Sequence, residues 1–292
     1  YSAQAVGDEA RALAASARAI DAAPESPEAW QSLWGVYAGA NRWGELADAV
    51  LARAARYPDG IAAAHYSGFA LAAAQRPDEA LDWLRKAWER KPENHAARLK
   101  AARILLTEKR DDDAAAELLR AVLQMDPGNR EALDGLSYLA VRLGNEQKHE
   151  LAIPHFRTLA EAQPGEGTDQ ANLALALRWG GHHEEAVAAY ERAVAAAPHD
   201  AQIRNDFGLL LLVMKRDEDA RRVFVETHEM DPLANDCVEN LGFMAREAGD
   251  LEEAAKWFMR AWEAARRRGN ADLLARHRRN LDDVRFPLPA LR

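Results

Sequence analysis

Cysteine occurs once in the 292 residues, at Cys237. No disulfide can close within the chain, so a reducing, cytoplasmic setting is favoured, with a bacterial periplasm still permitted. A basic surplus is also missing: the net charge is −9, which argues against nucleic-acid binding through a global positive field. No apolar run approaches the roughly 20 residues that span a bilayer, and there is no signal-peptide pattern. Aromatic residues are sparse at 7%, and alanine dominates the apolar fraction. Closely packed helices suit that composition better than a thick core of large side chains.

The motifs of catalysis are missing as well. The chain has no glycine-rich phosphate loop and no nucleophile elbow. His182-His183 precede Glu184-Glu185 without the i, i+4 spacing of a zinc-protease helix, and read as a solvated turn. His149 and His155 have no cysteine or carboxylate pattern to complete a metal site. Cys237, near a helix start, reads as a half-buried structural residue rather than a nucleophile. The expectation is a non-enzymatic protein without metal or cofactor.

What the sequence does contain is a period. Pro24, Pro58, Pro92, Pro127, Pro164, Pro198 and Pro232 are spaced 34, 34, 35, 37, 34 and 34 residues apart. Proline cannot continue a helix, so each marks a helix end. Ser26, Asn94, Asn129, Asp200 and Asn235 follow as candidate caps of the next helix, and Pro27 suits a first helical position. A second break falls halfway along each unit, where Gly7, Gly144, Gly181 and Gly249 are expected to take a left-handed conformation. Acidic pairs such as Asp78-Glu79 and Glu184-Glu185 then open a second helix, complementing its dipole. The unit is helix, tight turn, helix, tight turn.

On these residues the chain resembles the tetratricopeptide-repeat family. Trp30, Leu33 and Tyr37 match the first half of its pattern; Leu173, Ala174, Leu177, Ala186, Tyr190, Ala193 and Pro198 match nearly all of it. Phe207, Gly208, Leu211, Ala220, Phe224 and Pro232 do so again, as do Leu241, Gly242, Ala254, Phe258 and Ala261. The implied fold is all-α, a right-handed α-solenoid of antiparallel helix pairs forming a superhelix, with a C-terminal capping helix. Repeats are expected at 27–60, 61–94, 95–129, 130–166, 167–200, 201–234 and 235–268. A partial repeat precedes them at 1–26, with Gly7 opening its second helix. A capping helix follows at 269–285, then an extended tail at 286–292. The 130–166 unit has about three extra residues near Asn145–His149, read as a longer turn, and Trp34 stands where a small side chain is expected.

In this family the first helix of each pair lines a concave groove, which implies a protein or peptide partner. The resemblance carries groove positions onto Tyr66 and Phe69, Lys100 and Arg103, Tyr138 and Arg142, Arg178 and Trp179, Asn205, and Phe243. Asn172, Asp206 and Asn240 recur at intervals of 34 as a polar ladder able to meet a peptide backbone. This ladder is similar to the asparagine ladder in the repeats of O-linked N-acetylglucosamine transferases. The match is partial, because the equivalent upstream positions are Ser32, Tyr66, Lys100 and Gly135. Trp30, Trp83, Trp88, Trp257 and Trp262 are assigned to packing between repeats, and Trp179 to the surface. No three successive repeats carry the lysine, asparagine and arginine set that chaperone-binding relatives use, so that partner is disfavoured. The leading reading is an interaction scaffold that holds an extended peptide in the groove. The alternatives are the substrate-recruiting part of a larger enzyme, such as a glycosyltransferase, and a self-assembling homo-oligomeric scaffold.

Overall fold

The computed structural model describes residues 3–38 and 41–284, and all regular structure among them is helical. The chain divides into two compact units, residues 1–141 and 142–292. The first holds α1 (Ala3–Ala22) and the pairs α2/α3 (Pro27–Ala38, Trp43–Ala54), α4/α5 (Ile61–Ala73, Pro77–Arg90) and α6/α7 (His95–Ile104, Asp112–Met125). The boundary falls inside α8 (Arg130–Asn145). The second unit contains α9 (His149–Ala162) and the pairs α10/α11 (Gly167–Trp179, His183–Ala196), α12/α13 (Ala201–Val213, Asp217–Met230) and α14/α15 (Asn235–Glu247, Leu251–Arg268). A single helix, α16 (Ala271–Asp283), follows; the tail at 286–292 lies outside the described residues.

One turn geometry joins the helices of each pair. A left-handed residue occurs once per turn: Asn41, Gln75, Arg110, Gln147, Gly181, Lys215 and Gly249. In the turn at Gly181, its N–H donates to Arg178 O and the His182 N–H to Leu177 O, three and five residues back. The same two bonds recur at Asn41, Gln75, Gln147, Lys215 and Gly249, satisfying carbonyls that the helix end leaves open. Only two of the seven positions are glycine. Gly144 is not among them: it lies inside α8, and Gln147 takes the left-handed place with φ 60°. Gly7 likewise makes no break, because α1 runs through it. An isolated glycine weakens a helix by about 1 kcal/mol, too little to end one unaided.

The insertions are absorbed in helices rather than turns. The three extra residues near Asn145–His149 lengthen α8 to 16 residues, leaving a tight turn before α9 instead of a longer one. The extra residue between Pro92 and Pro127 becomes a π-helical segment, Leu105–Lys109, continuing α6. There the closing bond spans one residue more, from Asp111 N–H to Leu105 O.

The prolines sit in the turns between pairs, and most predicted caps are made. Ala97 N–H donates to Asn94, Ala132 N–H to Asn129 and Ile203 N–H to Asp200 at 3.1–3.2 Å. Asn235 does not cap: it is the first residue of α14, and its amide is buried. Gly60, which precedes α4, has no side chain to offer, and Glu25 from the turn before α2 accepts from Ile61 N–H and Ala62 N–H instead. Arginines before the second helices grip the acid three residues on: Arg42 holds Glu45, Arg76 holds Glu79 and Arg216 holds Asp219.

The core of the first unit gathers Trp30, Leu46, Val50, Leu71, Leu84 and Ile104 around alanines. The second packs Leu211, Phe224, Val238, Leu241 and Trp257, then Phe258, Trp262 and Leu281. Burial of Trp30, Trp257 and Trp262 agrees with their assignment to packing, and Trp83 and Trp88 are partly buried against the same core. Trp34 is half-buried, its ring 6.2 Å from that of Trp43.

Candidate functional site

The first helices of the pairs carry the candidate residues, and each unit presents its own patch. In the second unit the ladder positions lie on α10, α12 and α14. Asn172 is half-buried, and its amide makes no hydrogen bond with another described residue. Asp206, also half-buried, accepts from Gln202 Nε2 at 3.1 Å. Burial lifts its carboxyl above the usual range, although Gln202 and Arg178 pull it down. Asn240 donates to Asn205 Oδ1 at 2.9 Å, and Asn205 is buried. Asn205 therefore orients the ladder amide of the next pair rather than facing outward.

Trp179, at the end of α10, is 61% exposed. Its ring is 6.1 Å from that of His149, and the Arg178 guanidinium lies 5.3 Å from its centroid. Arg178 also acts electrostatically on Asp206 and on Tyr190, a buried phenol raised chiefly by desolvation. Phe243 meets Phe258 edge-on at 5.3 Å and has Arg246 over its ring at 5.0 Å.

Sequence reasoning left three residues off this face. Leu175 and Leu209 precede Phe243 at intervals of 34, and Val213 follows Trp179 by the same step. Leu175 and Val213 are exposed and Leu209 half-buried. The 34-residue register that picked out Trp179 and Phe243 contained the signal.

In the first unit, Tyr66 stacks on Trp30 with centroids 6.1 Å apart and planes 5° apart. His65 stacks on Phe69 at 4.4 Å, and Lys100 Nζ lies 5.8 Å from the Phe69 centroid. His65 Nδ1 lies 3.2 Å from the Asn94 amide nitrogen, which can only donate, so Nδ1 accepts in the neutral tautomer. Burial holds that imidazole below its usual value. His65 and Tyr66 line a cavity of about 750 Å³ with Glu25, Ile61 and Asn94. Arg103 and Tyr138 are exposed at the rim of a second cavity, about 300 Å³, described below. Arg142 is half-buried in the last turn of α8, at the start of the second unit.

Cys237 and His182 are held in structural contacts. Cys237 is buried, its S–H donates to Ala234 O at 3.0 Å, and burial pushes the thiol up to about 12, far from a working thiolate. His182 Nε2 lies 3.0 Å from Glu150 Oε1 on the preceding pair. Among the described residues no His, Cys, Asp and Glu cluster could hold a metal, and no helix is long and apolar enough to cross a membrane.

Tetratricopeptide-repeat profiles match residues 71–118 and the overlapping windows 138–201, 171–227 and 205–270. No curated protein matches the chain. Among solved structures, the C-terminal part of a TPR repeat-containing protein from Cytophaga hutchinsonii superposes with a TM-score of 0.52 at 12% identity, covering 84% of this chain and 98% of that one. A MamA protein gives 0.49 at 20%, covering 62% and 96%. YrrB, a TPR protein with an unusual peptide-binding site, gives 0.48 at 19%, covering 67% and 97%. At these identities the likeness shows the fold alone.

Proposed function

The chain belongs to the tetratricopeptide-repeat family, and on that premise we propose that it is a non-enzymatic scaffold binding an extended protein segment along its first helices. The repeats at 27–268 are the recognition units in this reading, and within each compact unit the first helices carry the binding face. One observation carries it: Asn172, Asp206 and Asn240 stand 34 residues apart on α10, α12 and α14, beside a tryptophan that is 61% exposed. An amide or carboxylate repeated once per helix pair offers hydrogen bonds to peptide groups of an extended chain about three residues apart. Trp179, with Leu175 and Val213, offers the apolar area that anchors an interface.

Selection of random displayed peptides on the whole chain, followed by calorimetry, tests this. Replacing Trp179 by alanine should weaken a selected peptide by about 2 kcal/mol. Each ladder residue changed to alanine should cost about 0.5–1.5 kcal/mol. Binding that survives Asn172→Ala, Asp206→Ala, Asn240→Ala and Trp179→Ala unchanged removes the reading.

A further inference from the structure

The polar ladder has a gap. At the position occupied by Tyr66 in α4, Lys100 in α6 and Asn172 in α10, α8 carries Gly135. Beside Gly135 a cavity of about 300 Å³ opens, lined by Leu99, Leu106 and Leu119 with Tyr138 at its edge. A Cβ on Gly135 would sit 3.0 and 3.1 Å from the Leu119 methyls, so the glycine is what keeps this lining open. The volume is at the low end for ligand pockets, which run from about 300 to 1,000 Å³, and suits one large side chain.

The rims carry opposite charge. On the α6 side stands Arg103, and Lys100 lies one turn earlier on the same helix, outside the cavity lining; neither makes an ion pair among the described residues. Glu131 and Asp134 line the α8 side, and Asp134 is already engaged by Arg130 at 3.2 Å. Lys100 is half-buried, and burial together with Arg103 holds its ammonium below the usual lysine value despite Glu108 and Glu131. An unpaired, partly desolvated cation beside a second one is relieved by an incoming carboxylate.

We propose that the cavity at Gly135 is a specificity pocket for a large apolar side chain of the bound peptide, with an acidic residue one or two positions away seated on Arg103 and Lys100. This rests on the peptide-scaffold reading and adds a sequence preference to it. The acids of the α8 rim orient the peptide, since its carboxylate is repelled there and drawn towards α6. Arg103, on the cavity wall, can grip that carboxylate with two parallel hydrogen bonds.

The test uses the whole chain and peptides selected on it from a random displayed library. Enriched sequences should pair leucine, isoleucine or an aromatic with Asp or Glu within two positions. Thr107→Trp, which fills the mouth from an exposed site, and the double change Lys100→Glu with Arg103→Glu should each weaken those peptides more than tenfold. The thermal melt of Thr107→Trp should stay at the wild-type value, since Thr107 is exposed, and Arg103→Glu alone, also at an exposed site, should weaken the peptides with an unchanged melt and so separates lost binding from any effect at half-buried Lys100. The charge-reversed chain should in turn select peptides with Lys or Arg at the acidic position. Peptides that lose affinity with Asn172→Ala or Trp179→Ala but stay within twofold with both cavity variants would overturn this pocket and leave the scaffold reading standing. No enrichment at all would overturn both.

Discussion

Gly208 and Gly242 decide how closely the helices of two pairs approach. A Cβ placed on Gly208 would lie 2.3, 2.5 and 2.9 Å from three ring carbons of Phe224. Carbon atoms in favourable contact stand about 3.5–4.0 Å apart, so the ring would have to retreat by an ångström or more. Phe224 is fully buried, with no space to retreat into. Gly208→Ala should therefore carry an overpacking cost of about 1–3 kcal/mol. Alanine returns about 1 kcal/mol of helix propensity, which leaves a net loss of about 0–2 kcal/mol. Gly35 in α2 is the control, because nothing lies within 4 Å of its would-be Cβ, and Gly35→Ala should stabilise by up to about 1 kcal/mol. The same exchange thus changes sign with position. Urea unfolding followed by circular dichroism measures the net effect, and amide exchange in α12 and α13 locates it. Adding Phe224→Leu to Gly208→Ala should restore part of the loss, a favourable coupling in a double-mutant cycle. A Gly208→Ala protein stabilised to the same extent as Gly35→Ala would refute the close approach of α12 and α13.

Lys215 occupies a left-handed turn position with φ 60°; Lys215→Gly should raise stability by about 1 kcal/mol in urea unfolding, as the Cβ penalty of that conformation is removed. Glu239 is buried and accepts from Asn280 at 2.8 Å, with Arg276 at 2.7 Å on its other oxygen, tying α16 to α14. Burial raises its carboxyl, but His277, Arg276 and Asn280 outweigh it and hold Glu239 below the usual range. A depressed value stabilises the fold above the unfolded-state pKa of about 4.3, and that stability is lost as pH falls through the folded-state value. The melting temperature of wild type should thus drop more steeply between pH 5 and pH 3 than that of Glu239→Gln, and equal slopes would contradict the tie.

The repeat period, the helix pairs and most caps are legible in the sequence because they rest on local chemistry. Each of the seven period-setting prolines stands just beyond a helix end, whereas Pro27 and Pro77 open α2 and α5 and Pro154 lies inside α9; Asn94, Asn129 and Asp200 cap through bonds to residues two or three positions on. The left-handed turn residue is legible only where it is glycine. At Gln75, Arg110 and Lys215 the turn is imposed by packing of the two helices it joins, and no side-chain signal betrays it. The candidate site divides the same way. Trp179 can be recognised as exposed because it ends a helix beside Gly180, whereas the burial of Asn205 depends on Asn240, 35 residues on. The cap of α4 is a long-range event too, supplied by Glu25 across 36 residues.

The two insertions show what the architecture protects. A residue added to a turn would change the angle between paired helices, and with it the face presented by every later pair in the unit. A residue added inside a helix rotates the remainder by about 100°, unless a π-turn takes up the surplus. The single extra residue before Arg110 is handled by the π-turn, and Arg110 still reaches its left-handed conformation at φ 56°. Three extra residues come close to the 3.6 of a whole turn, so α8 grows by one turn and Gln147 still closes on Gly144. The α8–α9 turn keeps both hydrogen bonds, the α6–α7 turn keeps its left-handed residue with a closing bond one residue longer, and in both cases the helix absorbs the change. Both adjustments occur in the helices that bound the cavity at Gly135, and Leu106, in the π segment, forms part of its lining. The sequence irregularities and the missing rung of the ladder are thus one local departure from an otherwise regular array, and specificity in a repeat protein has to reside where its units differ.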